Sequence, residues 1–321
     1  MTRRLTLGLS LLVATAVAVV LPAFSGATAP GKNGRIAYML KDQRGHWQIW
    51  VANSELSGAR KLTHGRYDSG WAVWSPNGKR LAFDSSRTDH MPTNSHHVND
   101  VFVMRADGSG VKKLTQSRGV SGDDAWSPSG GLIAFDSNRG TKKAFSAIYL
   151  IRPDGRKLRK LTHPRPPMSD YKPRFSPDGT QIVFTRERGT ADFGPAALFT
   201  MDLDGSHLHR LTPFFLHADD SDWSPDGKQI VFEGYPQGPY GDIYLIDAAG
   251  GTPVNITHDT TGQADPIWSP DGKKILFLDN GFVNGVGRTG LATMNPDGSH
   301  RGFISNKNIE AHQADWESVS G

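Results

Sequence analysis

The chain has 321 residues, no cysteine, and 36 Lys and Arg against 32 Asp and Glu, for a formal net charge of +4. Without cysteine there is no disulfide framework, no thiolate metal site and no thiol nucleophile. Two of the positive charges, Arg3 and Arg4, fall in a leader; the remainder carries about +2, too little to point to nucleic acid or an acidic surface as a partner.

In chain order, the first predicted element is an export signal over residues 1–27. Arg3 and Arg4 form a basic start, Leu5 to Leu21 is almost wholly apolar, Pro22 breaks the run, and Ser25-Gly26-Ala27 supplies small residues for cleavage. Cleavage after Ala27 is expected. The alternative is an uncleaved anchor, because the apolar run approaches the length that spans a bilayer. The Arg3-Arg4 pair leaves the Sec and twin-arginine routes both open. The mature chain is expected to be extracytoplasmic, either periplasmic or secreted, with no membrane insertion after cleavage.

From residue 30 onward one short phrase recurs: an aromatic residue, Ser-Pro-Asp/Asn-Gly, then an apolar strand. Its heads are Trp74, Trp126, Phe175, Trp223, Trp268 and, truncated, Trp316. The period is roughly 48 residues, within the range of repeated supersecondary units. In the five full copies the strand closes on a Phe nine residues after the head: Phe83, Phe135, Phe184, Phe232 and Phe277. A third strand follows, such as Asp100-Val101-Phe102-Val103-Met104, then an Asp-Gly turn and a fourth strand ending in Leu/Ile-Thr. Pro presets φ and Gly accepts positive φ, so both turns are built for hairpins. Four antiparallel strands per repeat predict a β-propeller.

The two ends are complementary. Arg35-Ile36-Ala37-Tyr38 is a second strand with no aromatic head before it, and Ala314-Asp315-Trp316 is a first strand with no second strand after it. Pairing them completes a blade and removes two open sheet edges. The prediction is an all-β fold over residues 30–321, a six-bladed β-propeller with blade 1 closed by the C-terminal strand.

The phrase Trp-Ser-Pro-Asp-Gly-Lys-x-Ile-x-Phe at 223–232 and 268–277, and its relative at Phe175-Ser176-Pro177-Asp178-Gly179, resembles the TolB-type (WD40-like, PD40) propeller repeat. The resemblance covers nearly all of residues 31–319. It implies the fold directly and function only loosely, since such propellers serve both as binding platforms and as accessory domains of peptidases. TolB itself carries an α/β domain ahead of its propeller. Here blade 1 is expected within a few residues of the leader, so an envelope role does not transfer simply. No Gly-x-Ser-x-Gly elbow for a hydrolase domain occurs.

Topology separates two faces. The turns between first and second strands and between third and fourth strands share one face, and their near-identical Pro-Asp-Gly and Asp-Gly sequences read as structural. Second-to-third loops and blade-to-blade crossings share the other, where the sequence varies and function on a rigid scaffold is expected. There, just ahead of the aromatic heads, lie Asp123-Asp124, Asp170, Asp219-Asp220, Asp222 and Asp265. His64, His163 and His258 each follow Leu/Ile-Thr, His217 and His312 sit farther along other crossings, and Arg87, Arg139 and Arg188 recur after second strands. The longest loop, 85–99, holds Asp89, His90, His96 and His97, a set able to chelate a transition metal.

The functional reading is a polar channel mouth for a cationic peptide, a polar ligand or a divalent ion, with Arg reading carboxylates. The structural reading is that each Asp bonds a neighbouring blade's backbone or pairs an Arg, and each His is a polar loop residue. The expectation is a monomeric scaffold that binds a protein or peptide through Asp123, Asp170, Asp220, Asp265, His64, His163, His258, Arg87, Arg139 and Arg188. It includes no catalytic residue, no resident metal or other cofactor and no nucleic acid; a divalent cation at the mouth is left open. The alternative is a secreted hydrolase or lyase acting on polysaccharide or a small polar substrate, with metal assistance.

Overall fold

Each aromatic-Ser-Pro phrase ends an innermost strand and folds back into the next. The Ser hydroxyl makes the turn: Ser75, Ser127, Ser176, Ser224 and Ser269 each accept the N–H five residues on, at 2.8–3.0 Å. Four of them donate in turn to the Asn or Asp two residues later, at 2.6–2.9 Å. The polar groups of the phrase thus satisfy one another, which is the structural role predicted for that face.

The computed structural model describes residues 30–88, 99–116, 119–140, 145–189, 194–236, 240–258, 261–283, 286–304 and 311–319. The export signal over 1–27 and the loop residues Asp89, His90, His96 and His97 lie outside them. Among the described residues no helix is long and apolar enough to cross a membrane.

Six four-stranded sheets follow one another in chain order. Blade 2 is typical, with strands Ser69–Trp74, Arg80–Ser85, Asp100–Arg105 and Lys112–Lys113. Blade 1 joins His312–Val319 to Lys32–Lys41, Trp47–Ala52 and Arg60–Lys61. Ile36 pairs with Trp316 and Ala37 with Asp315, so the last strand closes the ring as the split repeat predicts.

Each aromatic head is a wedge between blades. Trp74 packs with Ile49 and Leu62 of blade 1 and with Phe83 and Phe102 of its own blade. Trp126, Phe175, Trp223, Trp268 and Trp316 occupy the corresponding places in five further clusters, one for each blade interface. The core is therefore six inter-blade cores around an axis. The closing Phe residues are fully buried. In blades 1 to 5 a Thr after the fourth strand holds the sheet edge: Thr63, Thr115, Thr162, Thr212 and Thr257 accept a third-strand N–H at 2.9–3.0 Å.

Turn glycines make the close inter-blade approach. Gly298 has φ +81°, and a Cβ there would lie 2.2 Å from the Ile256 carbonyl oxygen of the preceding blade; Gly45 has φ +82° with open space around it. Both Ala variants share the left-handed penalty, but only one clashes with backbone. Urea unfolding is expected to show a loss of about 1 kcal/mol for Gly45→Ala and about 2 kcal/mol for Gly298→Ala. Equal losses would contradict the clash.

Candidate functional site

Every innermost strand breaks register just before its aromatic head. In blades 2 to 6 the shift falls between Gly70 and Val73, Gly122 and Ala125, Tyr171 and Arg174, Asp219 and Asp222, and Ala264 and Ile267. The residue three before each head is left-handed: Trp71 (φ 47°), Asp123 (53°), Lys172 (52°), Asp220 (40°), Asp265 (53°) and Gln313 (45°). For non-glycine residues this conformation is strained by roughly 1–3 kcal/mol. A bulge re-aims a side chain. Four of these residues, Trp71, Asp220, Asp265 and Gln313, line an axial cavity together with Asp124 and Arg174.

A second set of positions backs the first. The residues after the closing aromatic of each second strand are Met39, Asp84, Asp136, Thr185, Glu233 and Leu278. They reach the bulges: Trp71 N–H donates to Met39 Sδ at 3.3 Å, and Asp265 N–H to Glu233 Oε2 at 3.1 Å. Thr185 Oγ1 donates to Asp219 Oδ1 at 2.8 Å.

The carboxyls fall into two groups. On blades 5 and 6, Asp219, Asp220, Glu233 and Asp265 surround Lys172 of blade 4. Lys172 Nζ is 2.7 Å from Asp219 Oδ2 and also bonds Asp220. Tyr235 donates to Glu233 Oε1 at 2.8 Å, and Gln313 N–H to Asp265 Oδ2 at 3.3 Å. Burial pushes the Asp220 carboxyl up to about 7, with Lys172 opposing and Asp219 adding to the rise. Burial, then Asp220, holds Glu233 well above the carboxylate range. Burial also disfavours the Asp219 charge, but the Lys172 ammonium outweighs it and keeps Asp219 low. Oxygens of Asp219, Asp220 and Glu233 lie within 4.8 Å of one another, a spacing that suits a metal ion. Lys172 is already bonded to two of the three, so an added cation would have to displace it.

On blades 2 and 3 the second group is Asp84, Asp123, Asp124 and Asp136. Burial first, and then the neighbouring carboxyls, raises Asp84, Asp124 and Asp136 far above the usual range. Asn99 donates to Asp84 Oδ2, and Asp136 shares a hydrogen bond with Asp123. Among the described residues, Lys172 lies near Asp219, Asp220, Glu233 and Asp123, and Arg174 near Asp124.

The sequence-predicted residues separate accordingly. Asp123, Asp220 and Asp265 occupy equivalent bulge positions around the axis. Asp170 does not join them: it is fully buried and held by Arg186, Nε to Oδ1 at 2.6 Å and a second guanidinium nitrogen to Oδ2 at 2.9 Å. His64, His163 and His258 are exposed on three separate crossings. Arg87 lies over Phe83 and Phe102 and bonds Ser85 and Ser69; Arg139 repeats this over Phe135 and Tyr149 with Ser137 and Ser121. Arg188 stacks 3.6 Å over Phe214. These arginines meet aromatic faces where Asp pairing was the structural expectation. Nothing in the sequence marks Lys172, Trp71 or Gln313 by residue type, yet counting three residues back from each head finds all of them. Of the two acids next to a head, buried Asp222 accepts Trp268 N–H at 2.9 Å and half-buried Asp315 accepts Trp74 N–H at 2.6 Å, each stitching one blade to the next.

Comparison with known proteins agrees with this architecture. Residues 140–319 match the TolB beta propeller domain family. The chain is 27% identical over 185 residues to the uncharacterized protein Atu1656 of Agrobacterium fabrum, covering 56% of this chain and 59% of that one. It is 32% identical over 164 residues to a protein TolB homolog of Chlorobium luteolum, covering 51% of this chain and 33% of the homolog. The matches thus span about three-fifths and one-third of those relatives. The crystal structure of TolB from Acinetobacter baumannii superposes with a TM-score of 0.71 at 20% identity, covering 89% of this chain and 67% of that one, a likeness of fold. The repeat, the closed ring and the matched span together place the chain in the TolB beta propeller domain family.

Proposed function

We propose that this chain is an exported, monomeric scaffold that binds a protein or peptide segment at the channel mouth. The observation that carries the reading is the convergence of strained bulge side chains and buried carboxyls on the axis, where turn-face residues are instead self-satisfied. Strain held at equivalent positions around an axis marks a functional surface. Two large aromatics stand exposed on the same face: Phe215, 71% exposed in the crossing before blade 5, and Tyr240, 69% exposed in the blade 5 loop. Aromatic anchors beside a polar centre are the composition of a recognition surface. Likeness to proteins named TolB supports a binding platform, and the basic, apolar, small-residue leader supports export to the periplasm or medium.

The test is affinity capture from envelope and culture fluid with the wild type, an Asp220→Ala/Asp265→Ala variant and a Phe215→Ala/Tyr240→Ala variant. The wild type is expected to retain a defined partner that both variants lose. Identical partner sets, or no partner for the wild type, would overturn the reading.

The Asp219–Asp220–Glu233 trio favours a second reading, a metal-assisted hydrolase or lyase. That reading requires a divalent ion to displace Lys172. Calorimetric titration with manganese or calcium chloride decides it, since a single site lost in Glu233→Gln supports the enzyme and no binding removes it.

A further inference from the structure

Blade 1 lacks a device that blades 2 and 3 share. There the residue four after the closing Phe of the second strand is an arginine, Arg87 or Arg139, laid over the aromatic pair of second and third strands. Two serines anchor it, Ser85 and Ser69 in blade 2, Ser137 and Ser121 in blade 3. In blade 1 the pair is Tyr38 and Trp50, joined in register as Phe83 and Phe102 are. The strand pairings put Asp42 at the arginine's position, and Leu40 and Ala311 at those of the serines. Asp42 is too short to cover Trp50. The Trp50 ring packs on an apolar floor with Tyr38, Leu40 and Ala311, and a cavity of about 490 Å³ lies beside it.

The other walls of this cavity are polar. Asp42, Gln43 and Arg44 of the second-to-third loop face Lys61 and His64 at the outer edge of the blade. Asp42 is already satisfied: Lys61 Nζ bonds its Oδ2 at 2.9 Å, and the N–H groups of Arg44 and His46 donate to Oδ1 at 2.9 and 3.2 Å. Lys61 first, then those N–H groups, hold its carboxyl down at about 2. The unused groups are donors. Lys61 keeps N–H groups to spare, and the Arg44 guanidinium and the His64 ring have no partner among the described residues.

We propose that this cavity binds a uronic acid, the acidic unit of a polysaccharide or glycoconjugate, with its ring against Trp50 and its carboxylate met by Arg44, Lys61 and His64. The site is on the rim of blade 1, apart from the channel mouth, and does not depend on the binding reading above.

Charge, size and surface each select this occupant. Lys41, Arg44 and Lys61 border the cavity against the single carboxyl of Asp42, so an anion is favoured, and a guanidinium meets a carboxylate with two parallel donors. The cation that covers the aromatic pair in blades 2 and 3 is therefore refused here. A volume of about 490 Å³ falls among small-molecule sites, which run from roughly 300 to 1,000 Å³. The C–H face of a sugar ring is its apolar side and lies flat on an indole. The Gln43 amide, exposed and without a partner among the described residues, offers a donor and an acceptor to ring hydroxyls. A bare inorganic anion would leave Trp50 unused, and a wholly apolar ligand would cover the charged rim without bonding it.

The probes are methyl glucuronoside, the neutral methyl glucoside and acetate, titrated at neutral pH into the full chain with nitrogen-15 in its tryptophan side chains. The readout is the Trp50 indole N–H resonance, assigned as the one absent from Trp50→Phe. The glucuronoside is expected to shift it saturably, at a concentration at least fivefold below that needed by the glucoside or by acetate. Arg44→Ala/Lys61→Ala is expected to weaken binding tenfold or more. Asp42→Arg, which restores the arginine of blades 2 and 3, is expected to abolish it. The other indole resonances report whether each variant keeps the fold. No shift at Trp50, an equal response to glucuronoside and glucoside, or a response to acetate as strong as to the glucuronoside would overturn the proposal. Unchanged affinity in either variant, folded, would do the same. The comparison of the three probes needs no variant and stands even if a substitution unfolds the chain.

Discussion

Replacing Asp170 by alanine is expected to destabilise the fold by about 3–5 kcal/mol. Asp170 is fully buried on the innermost strand of blade 4, directly opposite Arg186 on the next strand. The guanidinium meets the carboxylate in two parallel bonds of 2.6 and 2.9 Å. Asp170 N–H also bonds the Ser146 carbonyl of blade 3 at 3.0 Å, so the residue joins two blades. Alanine would leave a buried guanidinium against Phe184 and Phe199 without a counter-charge. That orphaned charge, rather than the lost attraction, makes the effect large. Asp170→Ala/Arg186→Met removes both charges and is expected to recover most of the loss. Urea unfolding of the single and double variants checks this, and a single-variant loss below about 1 kcal/mol would contradict it.

Asp170 also shows where the sequence could be read and where it could not. The sequence shows acids ahead of four heads, Trp126, Phe175, Trp223 and Trp268, and in three of these segments the acid at the third position back, Asp123, Asp220 or Asp265, is the one turned by the bulge. In blade 4 that position holds Lys172, so the nearest acid, Asp170, reads as equivalent while lying two residues out of phase. A two-residue offset keeps strand alternation, yet here it crosses the bulge, so the two side chains serve different surroundings. Side-chain alternation alone cannot reveal a bulge; aligning the repeats on their heads does.

The arginines escape a sequence reading for a different reason. Acid-to-base pairing is legible from composition, whereas stacking needs the twist that brings second- and third-strand aromatics together. Phe83 and Phe102 stack at 5.6 Å, Phe135 and Tyr149 at 5.8 Å, and Arg87 and Arg139 lie over those pairs. Burial lowers both guanidinium pKa values without discharging them at neutral pH. The fold was more legible than the site because its signals are local and repeated six times. The site is assembled from bulge and second-strand side chains of several blades, and its chemistry differs at each.

The closure of the ring supplies a pH-dependent expectation. Asp315, one residue before Trp316, accepts Trp74 N–H at 2.6 Å and so ties the C-terminal strand to blade 2. Burial pushes its carboxyl up to about 7; that hydrogen bond and Arg174 oppose the rise, and Asp222 adds to it. In the unfolded chain the group titrates near 4, so between about pH 4 and pH 7 the folded state holds an extra proton. Stability from this group is therefore complete below about pH 4 and is lost as pH rises through about 7. Asp315→Asn keeps an oxygen for Trp74 N–H and removes the titration. Relative to the wild type, the variant is expected to change little near pH 4.5 and to be more stable at pH 8 by on the order of 3 kcal/mol. Urea unfolding of both proteins at the two pH values measures the difference. A gap that stays constant, or one that widens toward acid, would mean that Asp315 is ionised throughout and that a charged hydrogen bond, not a protonated one, holds the ring closed.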